Sequence, residues 1–210
     1  PVLGNASEIA FTGAGSAAQK DGLYVDMWAN AALTTGPAGT MTYNVRTSFA
    51  EPVRDEDLAS LSVVPLSTTD KNVPEGLATK VSEITQNAST ALSAARAIEH
   101  YLANNGYYLN ENTQFSRPGV RTDRLERMLS SDEQLIGDDQ QYSALMALML
   151  HQLGMNARVV MGAYPEGGSQ GGPATLHGSD IRAWVEVEFE GGVWAVFDPT
   201  PPRDHTPQTQ

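Results

Sequence analysis

The sequence predicts an α+β fold, in which several helices come first and an antiparallel sheet follows them along the chain. Two observations support this prediction. Apolar residues recur at helical spacing between residues 74 and 154, whereas residues 181–189 and 193–198 alternate like two strands joined at Gly191 and Gly192. The first 65 residues are typical of short strands with glycine-rich connections, which predicts a small β-rich extension at the N-terminus.

The strand candidates of this extension are residues 8–12, 23–28 and 40–49. Within the third candidate, larger side chains such as Tyr43 and Val45 alternate with polar ones. This alternation is the period of a half-buried strand.

Three helices are predicted in the middle of the chain. The first follows Pro74, the second runs from Ser89 to Gly106, and the third covers residues 123–129. Asp123, the first residue of the third helix, and Glu126 have the spacing of a capping box, which satisfies backbone N–H groups at a helix start.

A fourth helix precedes Gly154 and carries apolar residues on more than one face. One apolar stripe consists of Tyr142, Leu145, Met146, Met149 and Leu153, and a second face carries Leu148 and Leu150. A helix that is apolar nearly all round is buried, so this helix is expected to form the centre of the core. A strand at residues 158–164 follows it.

The composition excludes several classes of protein. The chain has 210 residues and a net charge of −12, which argues against a nucleic-acid partner, because binding phosphates requires clustered Lys and Arg. It contains no cysteine, which excludes disulfides, zinc–thiolate sites and a cysteine nucleophile. We find no apolar run long enough for a membrane span. The start at Pro1 and the polar end lead us to expect a soluble segment of a longer protein.

Four segments, in order, resemble one family pattern. They are residues 137–142 (GDDQQY) at the start of the buried helix, 153–160 (LGMNARVV), 182–187 (RAWVEV) and 197–201 (FDPTP). They are similar to the bacterial transglutaminase-like superfamily, whose pattern consists of G-x-C-x-x-F-A, L-G-I-P-A-R, H-A-W-V-E-V and D-P-T-P. The resemblance covers about residues 66–202.

This resemblance implies a papain-like fold, with a buried central helix packed on an antiparallel sheet, and a Cys-His-Asp catalytic triad. At the nucleophile position this chain has Asp139, and at the position of the general base it has Arg182. Only the third position, Asp198, keeps the residue of the family.

The two replacements remove the chemistry of the triad. The family places a thiol at a helix N-terminus, which lowers the thiol pKa, and a neighbouring imidazole transfers the proton. A carboxylate stabilised by a helix N-terminus is a poorer nucleophile. An arginine has a pKa above about 12 and cannot act as a general base near neutral pH. We therefore expect no acyl transfer by the family mechanism.

We expect Asp139 to cap the helix and to form a buried ion-pair network with Arg182 and Asp198. A second interpretation stays open, in which Asp139 binds a cationic group in the former cleft. Both require positions 182 and 198 to share one face of the hairpin. A strict two-residue turn at Gly191 and Gly192 would place them on opposite faces, so we predict an odd-length loop or a bulge.

Several other residues near these positions could take part in a site. Trp184, Gln140 and His177 are predicted to line the former cleft, with His177 a solvated loop residue rather than a displaced base. Ser143 and Ser179 have no general base at recognisable spacing. Several aspartates could be assembled into a hard-metal site, but no EF-hand spacing supports one, so we predict no metal and no cofactor.

Three functions stay open. The first hypothesis is an inactive transglutaminase-like domain that serves as a binding or scaffolding module for a cell-envelope peptide or amine. The second is a hydrolase or acyltransferase that uses Asp139 as acid, base or nucleophile, and the third is a purely architectural role. A buried, fully paired Asp139 favours the first, and an accessible one that is not tied to Arg182 favours the second.

The resemblance also implies a location. In its nearest subfamily the domain is an extracytoplasmic part of a bacterial multi-pass membrane protein, held at the membrane by flanking segments. We predict three regions in this chain: the β-rich extension at residues 1–65, the transglutaminase-like domain at 66–202 and a polar tail at 203–210.

Overall fold

The computed structural model describes residues 5–26, 31–35, 42–48, 53–110, 118–163 and 177–207. The contacts divide the chain into two compact units, Pro1–Pro52 and Val53–Gln210, and so group residues 53–65 with the second unit. The region limits proposed at residues 65 and 202 stay predictions. None of the helices in the described ranges is long and apolar enough to cross a membrane.

The first unit is β-rich, as predicted. Its elements are β1 (Asn5–Thr12), α1 (Ser16–Asp21), β2 (Leu23–Asp26), β3 (Ala31–Thr34) and β4 (Thr42–Ser48). Two separate antiparallel sheets form, one from β1 and β4 and the other from β2 and β3. The sequence did not predict α1 or β3, because segments this short have no clear periodicity. Residues 27–28, 40–41 and 49 of the predicted strands lie outside the described residues.

The second unit confirms the α+β class and all four predicted helices. Its elements are α2 (Asp55–Leu58), α3 (Leu77–Thr85), α4 (Ala91–Asn105), β5 (Tyr107–Tyr108), α5 (Thr122–Leu129), β6 (Ile136–Gly137), α6 (Asp139–Gln152), β7 (Ala157–Ala163), β8 (Ile181–Phe189) and β9 (Val193–Phe197). The short strands β5 and β6, which pair in parallel, and the single-turn helix α2 were not predicted.

Two predicted helix starts need correction. Helix α4 is capped by Thr90 rather than by Ser89, one residue earlier. Helix α5 has Arg121 at its N-cap position without a side-chain cap, so the predicted capping box of Asp123 and Glu126 is wrong. Asp123 instead accepts a hydrogen bond from the Arg121 Nε at 3.0 Å, because the helix begins before it.

Helix α6 lies at the centre of the core, as its apolar sequence predicted. Its fully buried side chains include Tyr142, Leu145, Met146, Met149 and Leu150. They pack against the inward face of β8, where Ala183, Val185, Val187 and Phe189 are buried at every second position. Each such large apolar side chain contributes about 1.5–3 kcal/mol when it is fully buried, so this layer fixes the position of α6.

The sheet of the second unit has the strand order β7-β8-β9 with antiparallel neighbours. Phe189 pairs with Val193, which leaves a three-residue loop and confirms the predicted odd-length connection. The loop requires two glycines, since Gly191 and Gly192 have φ values of 82° and 75°. This register places positions 182 and 198 on the same face of the hairpin, the face that points away from α6.

Candidate functional site

Asp139 is the first residue of α6 and is 7% exposed. The cap of this helix is its neighbour Asp138, whose Oδ1 accepts a hydrogen bond from the Gln141 N–H at 2.9 Å. The Gln141 side chain accepts in turn from the Asp138 N–H at 3.3 Å, which completes a capping box. The expected capping role of Asp139 is therefore wrong by one residue. Asp139 is left as a buried carboxylate at the positive end of the helix.

The ion pair of Asp139 is with Arg203, not with the expected Arg182. The Arg203 Nη2 lies 3.2 Å from the Asp139 Oδ2, and the two side chains are 35% and 10% exposed. The other carboxylate oxygen, Oδ1, is buried and has no hydrogen-bond partner among the described residues. Asp139 is thus buried and paired through one of its two oxygens.

The structure does not bring the other two triad-equivalent positions into the expected network. Arg182 lies on the face of β8 that points away from α6, and its guanidinium donates to the Ser179 carbonyl. Asp198 is exposed, and its Oδ1 accepts from the Thr200 N–H at 3.0 Å. The backbone N–H of Asp198 donates to the Glu99 Oε1 at 2.8 Å. Asp198 therefore orders the turn after β9.

The C-terminal segment, residues 201–206, folds back over β5 and brings Arg203 to Asp139. The Tyr108 N–H donates to the His205 carbonyl at 2.8 Å, and the rings of Tyr107 and His205 lie 4.5 Å apart. The sequence interpretation missed Arg203 because it assigned this residue to a polar tail without periodicity. The one available signal was the position of an arginine close behind the last strand.

Within the described part of the chain, three groups contact the Arg203 guanidinium. The Asp139 carboxylate accepts from Nη2, and the Ser179 carbonyl accepts from Nη1 at 3.3 Å. The ring of Tyr108 lies beneath the guanidinium, with 5.1 Å between its centroid and the Arg203 Cζ. Since Arg182 also donates to the Ser179 carbonyl, this one backbone oxygen joins the two arginines.

Burial and the charge of Asp139 raise the pKa values of two neighbouring groups, Tyr108 and Asp138. Burial raises the pKa of Tyr108 to about 12, and the neighbouring negative charge of Asp139 adds to this shift. Burial also raises the pKa of Asp138, with the adjacent charge of Asp139 as a further cause, against its hydrogen bonds to backbone N–H groups. The two adjacent carboxylates thus have different cationic neighbours, because Arg203 binds Asp139 and the charge of Arg124 acts on Asp138.

A second set of buried polar groups holds the start of α6. The Gln141 side chain is fully buried, and its Nε2 donates to the Gly119 carbonyl at 2.9 Å. The Arg124 Nη2 donates to the Gln141 Oε1 at 3.1 Å, and burial lowers the pKa of Arg124. These bonds fix the direction of the first turn of α6, and with it the position of Asp139.

The residues predicted to line the cleft have separate environments. Trp184 is half-buried, donates from Nε1 to the Glu186 Oε1 at 3.3 Å, and covers Gly162. Gln140 and His177 are both exposed.

A cavity of about 240 Å³ lies at the opposite end of α6, roughly 20 Å from Asp139 along the helix. Within it the His151 Nδ1 lies 2.7 Å from the Asp70 Oδ2, and the His151 Nε2 lies 2.8 Å from the Ala157 carbonyl. Both ring nitrogens are thus used to tie the loop before α3 to the start of β7. The described residues contain no cluster of three or more His, Asp or Glu side chains that could hold a metal ion.

The chain is similar in sequence to one family and to one curated relative. Residues 78–199 match the sequence profile of the transglutaminase-like superfamily. The chain is also 29% identical over 135 residues to the uncharacterized protein YebA of Bacillus subtilis (strain 168). This match covers 61% of the chain but only 18% of YebA, so the chain spans less than a fifth of that relative.

The fold is similar to that of a bacterial periplasmic domain. The crystal structure of the periplasmic domain of TgpA from Pseudomonas aeruginosa, bound to ethylmercury, matches with a TM-score of 0.54 and 16% identity. It covers 95% of this chain and 68% of the TgpA chain. A second crystal structure of the same domain matches with a TM-score of 0.47 and 21% identity, over 63% of this chain and 44% of that chain. The first likeness confirms the predicted papain-like α+β fold.

Proposed function

Because the chain belongs to the transglutaminase-like superfamily, we propose that it is a domain of this fold that no longer carries out acyl transfer. It serves instead as an extracytoplasmic binding or scaffolding module of a longer bacterial membrane protein. Its ligand is a peptide or amine of the cell envelope, which is recognised at the acidic end of α6.

One observation carries this proposal. At the position that resembles the family nucleophile, Asp139 is 7% exposed and its carboxylate is bound by Arg203 at 3.2 Å. A carboxylate that is stabilised by a guanidinium and a helix N-terminus is a weak nucleophile. The chain has no cysteine to replace it, and Arg182, at the position of the general base, cannot accept a proton near neutral pH.

Similarity to other proteins, in fold and in sequence motifs, supports the extracytoplasmic location. The structural relative with the TM-score of 0.54 is a periplasmic domain, and the resemblance of the sequence motifs is to domains of membrane proteins. A net charge of −12 is compatible with a basic or cationic partner.

A second candidate function is an enzyme that uses Asp139 as acid, base or nucleophile. The observation in its favour is the Asp139 Oδ1, which has no hydrogen-bond partner among the described residues and so keeps a free acceptor. Arg182 also does not supply the ion pair of Asp139. Against this candidate stands the burial of the carboxylate, which leaves little room for a reacting water or amide while Arg203 is bound to it.

The two candidates are separated by restoring the family residues. Amide hydrolysis and amine transfer are measured for the unsubstituted protein, for Asp139→Cys, and for the Asp139→Cys/Arg182→His double variant. We expect no activity from the unsubstituted protein or from Asp139→Cys, and activity of the double variant alone would support the proposal. Arg203 can remain, since a neighbouring cation lowers the pKa of a thiol at position 139.

Circular dichroism and thermal unfolding serve as folding controls for all three proteins. Activity of the unsubstituted protein that Asp139→Asn abolishes would contradict the proposal and support the enzyme. If every folded variant stays inactive, the result argues against an intact catalytic framework and favours a purely architectural role.

A further inference from the structure

We propose that the groups around Asp139 form a guanidinium-binding site, which Arg203 fills from within the chain. The external ligand that this site accepts is the arginine side chain of a peptide, which replaces Arg203 when residues 201–206 move away. This inference rests on the proposed function as a binding module and names the chemistry of its ligand.

The contacts of Arg203 match the shape of a guanidinium. Its Nη2 lies 3.2 Å from the Asp139 Oδ2 and its Nη1 lies 3.3 Å from the Ser179 carbonyl, so the planar fork donates in two directions. The Tyr108 ring lies on one face, 5.1 Å from the Cζ. An arginine can donate as a fork and stack on an aromatic face, whereas an ammonium group is a point charge.

The site keeps binding capacity that Arg203 does not use. Asp139 is more than nine-tenths buried, yet its Oδ1 has no hydrogen-bond partner among the described residues. A carboxylate can accept two parallel bonds from one guanidinium. Arg203, whose backbone belongs to the segment that follows β9, bonds to Oδ2 and leaves Oδ1 without a partner among the described residues. A guanidinium that arrives from outside has no such tether and can engage both oxygens.

Apart from the Arg203 side chain, the segment that carries it is mostly exposed and is attached at Tyr107 and Tyr108, where the rings of Tyr107 and His205 lie 4.5 Å apart. The His205 carbonyl accepts from the Tyr108 N–H at 2.8 Å, and Pro201 is buried. Pro202, Asp204 and His205 are exposed. Exposed segments with few buried contacts open at low cost in free energy. The Arg203 side chain is 35% exposed, so solvent already reaches the place that a ligand would enter.

The test removes the Arg203 side chain and adds a small guanidinium compound that can take its place. Thermal unfolding of Arg203→Ala is measured with millimolar ethylguanidinium, well below the concentrations at which guanidinium denatures proteins. Binding to the folded state should raise the melting temperature by about 2–4 °C, and ethylammonium should give less than half of this rise. No rise is expected for Arg203→Ala/Asp139→Asn.

Arg182→Ala is the matched control, because this arginine shares the Ser179 carbonyl but its removal leaves Arg203 on Asp139. Ethylguanidinium should not stabilise this variant. An equal response to ethylammonium, or a response that survives Asp139→Asn, would overturn the inference. So would a melting temperature of Arg203→Ala that ethylguanidinium leaves unchanged.

A second measurement does not depend on the folding of a variant. In the unsubstituted protein, nuclear magnetic resonance follows the Arg203 Nε and the Tyr108 amide while an arginine-containing peptide is added. Both signals should shift together, and a peptide with citrulline in place of arginine should shift neither. If both peptides act alike, the inference is wrong. A negative result in this test contradicts only the proposed ligand class. The proposed loss of acyl transfer is tested separately, by the activity measurement.

Discussion

Arg203 and Asp139 are 64 residues apart in the chain, and their side chains form an ion pair with 3.2 Å between Nη2 and Oδ2. The pair ties the C-terminal segment to the first turn of the central helix. Asp139 stands at the position where the family has its nucleophile, and its carboxylate is already bound to a cation. The chemical character of the site follows from this pair.

The coupling between Asp139 and Arg203 can be measured with a double-mutant cycle. We expect Arg203→Met to destabilise the protein in urea unfolding, because it leaves a buried carboxylate unpaired. Asp139→Asn should remove most of that loss, which gives a coupling free energy of about 1–2 kcal/mol.

The matched control is the more exposed pair of Arg158 and Glu186, which lie 2.7 Å apart with side chains 45% and 16% exposed. The cycle of Arg158→Met and Glu186→Gln should give a coupling of about 0.2–1 kcal/mol. A smaller coupling for Asp139 and Arg203 than for this control pair would contradict the structural assignment.

The Tyr108 hydroxyl should titrate late and respond to Asp139. Its pKa is raised to about 12 by burial and by the neighbouring carboxylate. The stability linked to this shift is fully present below the unfolded pKa of about 10 and is lost as the pH rises through 12. Asp139→Asn should lower the pKa, as measured by phenolate absorbance, and Tyr108→Phe identifies the signal. A pKa that Asp139→Asn leaves unchanged would show that the carboxylate does not act on this hydroxyl.

The substitution Asp138→Asn should stabilise the folded protein at neutral pH. The pKa of Asp138 in the folded state is raised, chiefly by burial, so its negative charge costs stability above that pKa. This cost disappears as the pH falls through the folded pKa towards the unfolded value of about 3.9. Asparagine caps a helix as well as aspartate does, so Asp138→Asn should gain stability at neutral pH and lose that gain in acid.

The control for this prediction is Asp138→Ala, which should lose about 1 kcal/mol because it removes the cap bond to the Gln141 N–H. Urea unfolding at two pH values measures both variants. Equal stability of the aspartate and asparagine proteins at both pH values would contradict the shifted pKa.

A methyl group at Gly106 should loosen the C-terminal segment. A Cβ there would lie 2.6 Å from the Leu102 carbonyl oxygen and 2.7 Å from the Pro201 Cγ, and would also collide with the Tyr142 hydroxyl. We expect Gly106→Ala to cost about 1–3 kcal/mol in urea unfolding. Gly178→Ala meets no atom within 4 Å and should change stability by less than about 0.5 kcal/mol. Equal effects of the two substitutions would contradict the close packing at Gly106.

Local patterns in the sequence predicted the parts of the fold that depend on periodicity. The apolar residues of α6, all round the helix, indicated a central buried helix, and the structure confirms it. The alternation on each side of Gly191 and Gly192 predicted the hairpin. The family resemblance requires positions 182 and 198 to share one face of this hairpin, which predicted an odd-length loop or a bulge, and the pairing of Phe189 with Val193 confirms the odd-length loop. These features are encoded over a few consecutive residues.

The ion pair of Asp139 could not be predicted in this way. Arg203 lies in a segment without periodicity, and its contact is made across 64 residues. The expected partner, Arg182, was chosen from its motif position, whereas its side chain lies on the sheet face that points away from α6. Tyr108 belongs to a two-residue strand, which is too short to leave a pattern.

The most direct test of the account is the transfer of an amine to a glutamine-containing peptide by the unsubstituted protein, with the product identified by mass spectrometry. Asp139→Asn is the matched control, since it keeps the shape of the side chain and removes its charge. We predict that both proteins form product only at the rate of the buffer alone. Product formation above that rate by the unsubstituted protein, lost in Asp139→Asn, would contradict the account and make Asp139 a catalytic residue.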